Sequence, residues 1–81
     1  MKRFKKGDYV RFVSTNGRYG GETYWEQETK NKILVISKVR DEDEYDYTIF
    51  NDIDGNKLFM SIYYDDELDS VTEDEIMAHM I

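Results

Sequence analysis

The sequence predicts a mainly β fold, a small antiparallel barrel or strongly bent sheet with a short C-terminal helix. Three observations carry this. Short runs alternate apolar and polar residues with a period of two, glycine-rich and acidic turns separate those runs, and helix-capping patterns are confined to the C-terminal end. At 81 residues the chain fits a single domain, 1–81, with little room for a second. Aromatic residues make up 15% of it, seven of them tyrosines, so large side chains can supply much of a small core.

Lys2, Arg3, Lys5 and Lys6 precede the first strand and are expected as a loose basic arm over residues 1–6. From Asp8 to Val13, DYVRFV, alternation puts Val10 and Phe12 on one face and Tyr9, Arg11 and Val13 on the other. The next stretch, STNGRYGGETYWEQETKN, contains Gly17, Gly20 and Gly21 without sustained periodicity. It reads as a long loop or irregular hairpin that Tyr19, Tyr24 and Trp25 close over the core. Ile33 to Val39 is apolar and β-branched, and reads as an interior strand. Asp41 to Glu44 form an exposed connection into YDYTIF, where Tyr45, Tyr47 and Ile49 share a face opposite Asp46, Thr48 and Phe50. Asp54-Gly55 within NDIDGN suits the positive-φ geometry of a tight hairpin. KLFMSIYY returns as a fourth strand, with Leu58, Met60 and Ile62 facing opposite to Phe59, Ser61 and Tyr63.

The chain then changes character. DDEL is expected as one helical turn, and two overlapping capping patterns follow, Ser70 with Glu73 and Thr72 with Glu75. Glu73, Asp74 and Glu75 suit the positive end of a helix dipole. Residues 72–81 are therefore expected as a helical extension with Ile76, Met77, Met80 and Ile81 along one edge. About two turns of helix are marginal alone, so the element must pack on the sheet or on a partner. The alternative is a fifth strand from Ser70 to Thr72 with a disordered tail.

The opening KGDYVRF, the glycine and aromatic loop, ILVISKV, the return DGNKLFMSIY and the closing DDEL together resemble a small SH3-like barrel of the type frequent among bacterial and phage proteins. The resemblance covers about residues 5–71 and leaves TEDEIMAHMI as an extension. It implies that Lys-Gly-Asp opens the barrel and that the acidic-leucine pair follows the fourth strand. Members of that family bind proteins, peptides or nucleic acids, so the likeness does not choose among those uses.

The net charge of −7 hides a division: residues 1–40 carry ten Lys or Arg and four Asp or Glu, or +6, whereas residues 41–81 carry one and fourteen, or −13. A strongly negative face is expected, one that repels nucleic-acid phosphates and attracts basic proteins. With no cysteine there is no disulfide or thiol chemistry, which fits a cytoplasmic protein. There is no long apolar run, and the basic N-terminus leads to glycine and aspartate, so neither a membrane span nor a cleaved signal peptide is expected.

Little in the sequence speaks for catalysis. His79 is the only histidine and lies near the end, with no nucleophile patterned around it. Asp52, Asp54 and Asn56 alternate as oxygen ligands can, but the spacing and strand flanks do not match a calcium loop. NGRYGG lacks the strand, lysine and helix of a phosphate loop. No enzyme activity, metal or cofactor is expected.

The functional expectation is a protein-binding domain. Asp41, Glu42, Asp43, Glu44, Asp65, Asp66 and Glu67 would steer a basic partner, and Tyr45, Tyr47, Tyr63 and Tyr64 would supply rigid contact area with hydroxyl ends. A special form is an inhibitor whose spaced carboxylates mimic nucleic acid; with the resemblance above, a phage-associated regulator fits. The alternative is a nucleic-acid-binding module in which Arg11, Arg18, Lys30, Lys32, Lys38 and Arg40 track a backbone and Trp25 stacks on a base. A homodimer is a further expectation, because both faces of YDYTIF and KLFMSIYY carry apolar residues.

Overall fold

The first strand follows its alternation. In the computed structural model, which describes residues 2–14, 16–18, 29, 31–41, 44–58 and 62–81, β1 (Tyr9–Phe12) buries Val10 and Phe12 and leaves Tyr9 and Arg11 partly exposed. It is the middle strand of an antiparallel sheet. On one side β2 (Ile33–Val35) pairs Val10 with Leu34; on the other β6 (Leu68–Ser70) pairs Phe12 with Leu68. A second antiparallel sheet holds β3 (Lys38–Val39), β4 (Tyr47–Thr48) and β5 (Ile62–Tyr63), with β4 in the middle. The chain is thus a small, mainly β protein, with two three-stranded sheets and a short C-terminal helix among the described residues.

The strand expected from Ile33 to Val39 divides at Ile36 and Ser37, where its hydrogen-bonding partner changes. Ile36 N–H donates to the Asp8 carbonyl at 3.0 Å, on the β1 side, and Ser37 N–H to the Thr48 carbonyl at 2.8 Å, on the β4 side. The β4 segment also continues past its named residues: Val35 N–H donates to the Asn51 carbonyl, and Leu34 pairs with Asp52. One bent ribbon therefore runs through both sheets.

Val10, Phe12, Leu34, Ile36, Tyr47, Ile49, Tyr63 and Leu68 form the core, with Phe4, Val39 and Leu58 packed against it. Each fully buried large apolar side chain contributes about 1.5–3 kcal/mol. Thr48 is also buried, so the two faces of β4 are both covered; the Arg40 guanidinium donates to its hydroxyl at 3.1 Å. Phe50, further along, is 56% exposed.

The NDIDGN turn is organised by a carboxylate. Asp52 is buried, and its Oδ1 accepts from the N–H groups of Asp54 and Asn56, each at 2.9 Å. The Asn56 amide donates to Oδ2 at 3.2 Å. Gly55 takes φ +87°, the left-handed conformation expected of Asp-Gly. Burial alone would raise the Asp52 carboxyl, but the Asn56 and Asp54 donors, with Lys32, hold it below the usual range.

At the C-terminal end, a single 3₁₀ turn spans Asp65–Glu67. Ser70 ends β6, and the helix α1 (Glu73–Met80) is capped by Thr72, whose hydroxyl accepts from Glu75 N–H at 3.2 Å. A strand and a helix are therefore both present, one after the other. None of the α1 residues is buried. Among the described residues, polar contacts tie α1 to the sheet side: Arg11 to Glu75, and His79 Nε2 to Asp54 Oδ2 at 2.9 Å. No helix among the described residues is long and apolar enough to cross a membrane.

Candidate functional site

The β4–β5 register fixes what meets at one end of the second sheet. Tyr47 lies opposite Tyr63, and Asp46 N–H donates to the Tyr63 carbonyl at 3.0 Å, so the ladder carries Tyr45 and Tyr64 past its last pair. Their rings meet with centroids 4.9 Å apart at 43°, within the range of favourable aromatic pairs. Both residues are partly exposed. The Arg18 guanidinium lies 3.9 Å from the Tyr64 ring centroid and donates to both carboxylate oxygens of Asp66 at 2.8 Å. Exposed Glu44 adjoins Tyr45 in sequence, and exposed Asp66 follows Tyr64 by two residues.

The 3₁₀ turn aims its three acids in different directions. Asp66 faces solvent, whereas Glu67 is 2% exposed. The Glu67 Oε1 accepts from Tyr64 N–H at 2.8 Å, and Oε2 lies 3.4 Å from Arg18 Nη1. Burial pushes its carboxyl above the ordinary value despite those partners. Asp46 supports the start of the turn by accepting from Asp65 N–H at 2.6 Å.

Asp65 is the centre of a network reaching the N-terminal segment. Its Oδ1 accepts from the Tyr47 hydroxyl and from Arg3 N–H, the latter at 3.1 Å, and its Oδ2 from Arg3 Nε at 2.8 Å. Arg3 Nη2 also donates to the carbonyls of Asp65 and Leu68, each at 2.6 Å. The Tyr47 hydroxyl accepts from Phe4 N–H at 3.1 Å. Burial would raise the Asp65 carboxyl, but Tyr47 and Arg3 outweigh it and hold it low. Burial, then the Asp65 contact, pushes the Tyr47 hydroxyl up to about 12.

Several residues expected at a partner surface therefore lie elsewhere. Tyr47 and Tyr63 are core residues, 0% and 1% exposed, because they pair inside the ladder, whereas Tyr45 and Tyr64 lie beyond its last pair. Glu67 is buried as a turn-capping carboxylate, and Asp65 is engaged by Arg3. Asp41, Glu44, Tyr45, Tyr64 and Asp66 keep accessible surface, while Glu42 and Asp43 lie outside the described residues. Lys2 to Phe4 are docked and do not form a loose arm; Lys2 lies 3.4 Å from Asp46 and 3.9 Å from Asp41.

The basic set is also dispersed. Arg11 meets Glu75, Arg18 meets Asp66, and Arg40 donates to Thr48; Lys38 is exposed. Trp25 and Lys30 lie outside the described residues, as do Tyr19 and Tyr24. The +6 and −13 halves are thus joined by pairing across the fold. Among the described residues no three His, Asp or Glu side chains gather as a metal site. Arg3, Phe4 and Asp46 were missed as organising residues. A phenylalanine amid lysines and arginine was the available signal, since an apolar ring at that place needs cover. Compared with models of protein families, with curated proteins and with solved structures, the chain matches none.

Proposed function

We propose that this chain is a non-catalytic protein-binding domain that engages a basic partner through the edge formed by Tyr45, Tyr64, Glu44, Asp66 and Asp41. The observation that carries it is the Tyr45–Tyr64 ring pair, held partly exposed at the end of the β4–β5 ladder, with exposed Glu44 next to Tyr45 in sequence and Asp66 joined to the Tyr64 ring through Arg18. Paired rings give rigid contact area with little rotamer entropy to lose, and the surrounding charge steers a cationic surface toward them. The finer reading is an SH3-like barrel. It is supported by the bent ribbon shared by the two sheets, by the pairing of β1 with β6, and by the Lys-Gly-Asp and DDEL turns at the ends of β1 and β5. An inhibitor of a nucleic-acid-binding protein is the specific form that the excess of carboxylates fits.

The test compares the intact protein with Tyr45→Ala, Tyr64→Ala and Glu44→Gln in capture from lysate at low and physiological salt. A partner of basic composition should be lost by either tyrosine variant and weakened by salt. Equal capture by all four proteins would remove this edge as the recognition surface.

A further inference from the structure

Outside the tyrosine edge, the described residues form a cleft of about 440 Å³ between α1 and the outer side of β1 and β2, lined by Arg11, Lys32, Ile33, Glu75, Ala78 and His79 together with Asn31. Its volume lies in the range of small-molecule sites, roughly 300–1,000 Å³. Its chemistry differs from that of the rest of the chain. Two cations, Arg11 and Lys32, line it with one carboxylate, Glu75, in a protein of −7.

Two donors there are unused among the described residues. Arg11 Nε is buried and has no hydrogen-bond partner, although its Nη2 reaches Glu75. The Arg11 side chain as a whole is 43% exposed, so an acceptor in the cleft meets the guanidinium on its accessible part. The Lys32 side chain makes no ion pair with a described residue; it lies near enough to Asp52 to influence that carboxylate electrostatically, but Asp52 is engaged by its own turn. His79 is oriented by Asp54. Ile33 and Ala78 add apolar wall, on which the organic part of a ligand can rest.

A guanidinium and an ammonium facing one cleft, with a side-chain amide beside them, recognise phosphate better than they recognise a single carboxylate. We propose that this cleft binds a small organic phosphate, its phosphoryl oxygens between Arg11 and Lys32 and its organic part along Ile33 and Ala78. The site uses other elements than the tyrosine edge and does not depend on that reading.

The experiment is an amide NMR titration of the full chain with inorganic phosphate, with a nucleoside monophosphate and with the corresponding neutral nucleoside. The monophosphate should bind with a dissociation constant on the order of 1 mM or tighter, inorganic phosphate more weakly, and the nucleoside not at all, with shifts at residues 11, 31–33 and 75–79. Lys32→Gln removes no hydrogen bond of the Asp52 turn and should weaken the monophosphate about tenfold. Glu75→Gln removes the competing carboxylate and should tighten it. The proposal is overturned by absence of saturable shifts, by shifts centred elsewhere, or by binding that Lys32→Gln leaves unchanged. It is also overturned if a single-stranded oligonucleotide binds more tightly than the monophosphate with a salt slope of several ions, which would make the cleft part of a nucleic-acid track.

Discussion

Tyr47→Phe isolates the hydroxyl at the junction of the N-terminal segment, β4 and the 3₁₀ turn. The ring is retained, with its contact to Phe4 at 5.7 Å between centroids. What is lost is a donor to the Asp65 carboxylate and an acceptor for Phe4 N–H. A hydrogen bond to a charged group contributes about 1.5–3 kcal/mol, and an unpaired buried donor costs about 1–3 kcal/mol. The Asp65 side chain is 29% exposed and keeps Arg3, so water replaces part of the loss and the low end of the sum applies, about 2.5–3 kcal/mol. A chain of this length has about 4–12 kcal/mol of stability in total. Urea unfolding should show a lower midpoint at unchanged m, and the melting temperature should fall by roughly 10–24 °C. Asp65→Asn should be destabilising as well, and the double variant should cost less than the sum by about 0.5–3 kcal/mol. A Tyr47→Phe cost below about 0.5 kcal/mol, or strict additivity with Asp65→Asn, would refute the network.

Three further outcomes follow from the same geometry. The raised Glu67 carboxyl gives stability that is full below the unfolded Glu value and is lost as pH rises through the higher folded value; Asp65 and Asp52, held low, give stability that is lost as pH falls through theirs. Glu67→Gln, which keeps an acceptor for Tyr64 N–H, should therefore flatten the stability loss on the rising side of the Glu range, while Asp65→Asn flattens the loss on the acid side; urea midpoints measured across pH 3 to 7, about the carboxylate range and above, check both, and unchanged profiles would contradict them. At alkaline pH the Tyr47 contribution is full below about 10 and declines toward about 12, so ultraviolet titration should leave Tyr47 and Tyr63 protonated after the exposed tyrosines ionise, until the chain unfolds. Gly55→Ala introduces a side chain at φ +87° into open space, and should cost about 1 kcal/mol through backbone strain alone, read as a lower urea midpoint; a neutral result would argue against the left-handed turn.

The parts of the fold legible in sequence were those governed by local periodicity and caps. Val10 and Phe12 face inward as their alternation requires, Thr72 rather than Ser70 caps α1, and Gly55 takes the turn conformation expected of Asp-Gly. The break at Ile36 and Ser37 was not legible, because nothing local marks a change of pairing partner inside a continuous apolar run. The tyrosines show the same limit more sharply. Tyr63 and Tyr64 are neighbours with identical side chains on opposite faces, yet one is in the core and the other bears a guanidinium on its face, and which of them turns inward is set by pairing with β4. Likewise, the sequence shows that bases precede acids, but only the fold shows Arg3 meeting Asp65 and Arg11 meeting Glu75.

The pairing of the first strand with the last has a consequence for synthesis. Arg3 bonds to residues 62 and 65 positions later, and β1 gains its second neighbour only when Leu68 to Ser70 have been made. Until then a growing chain carries an open strand edge and an uncompensated basic half, the state in which β segments are most exposed to wrong pairing. The acids of the second half thus act also as a completion signal: the N-terminal residues are neutralised and covered in the same event that closes the sheet.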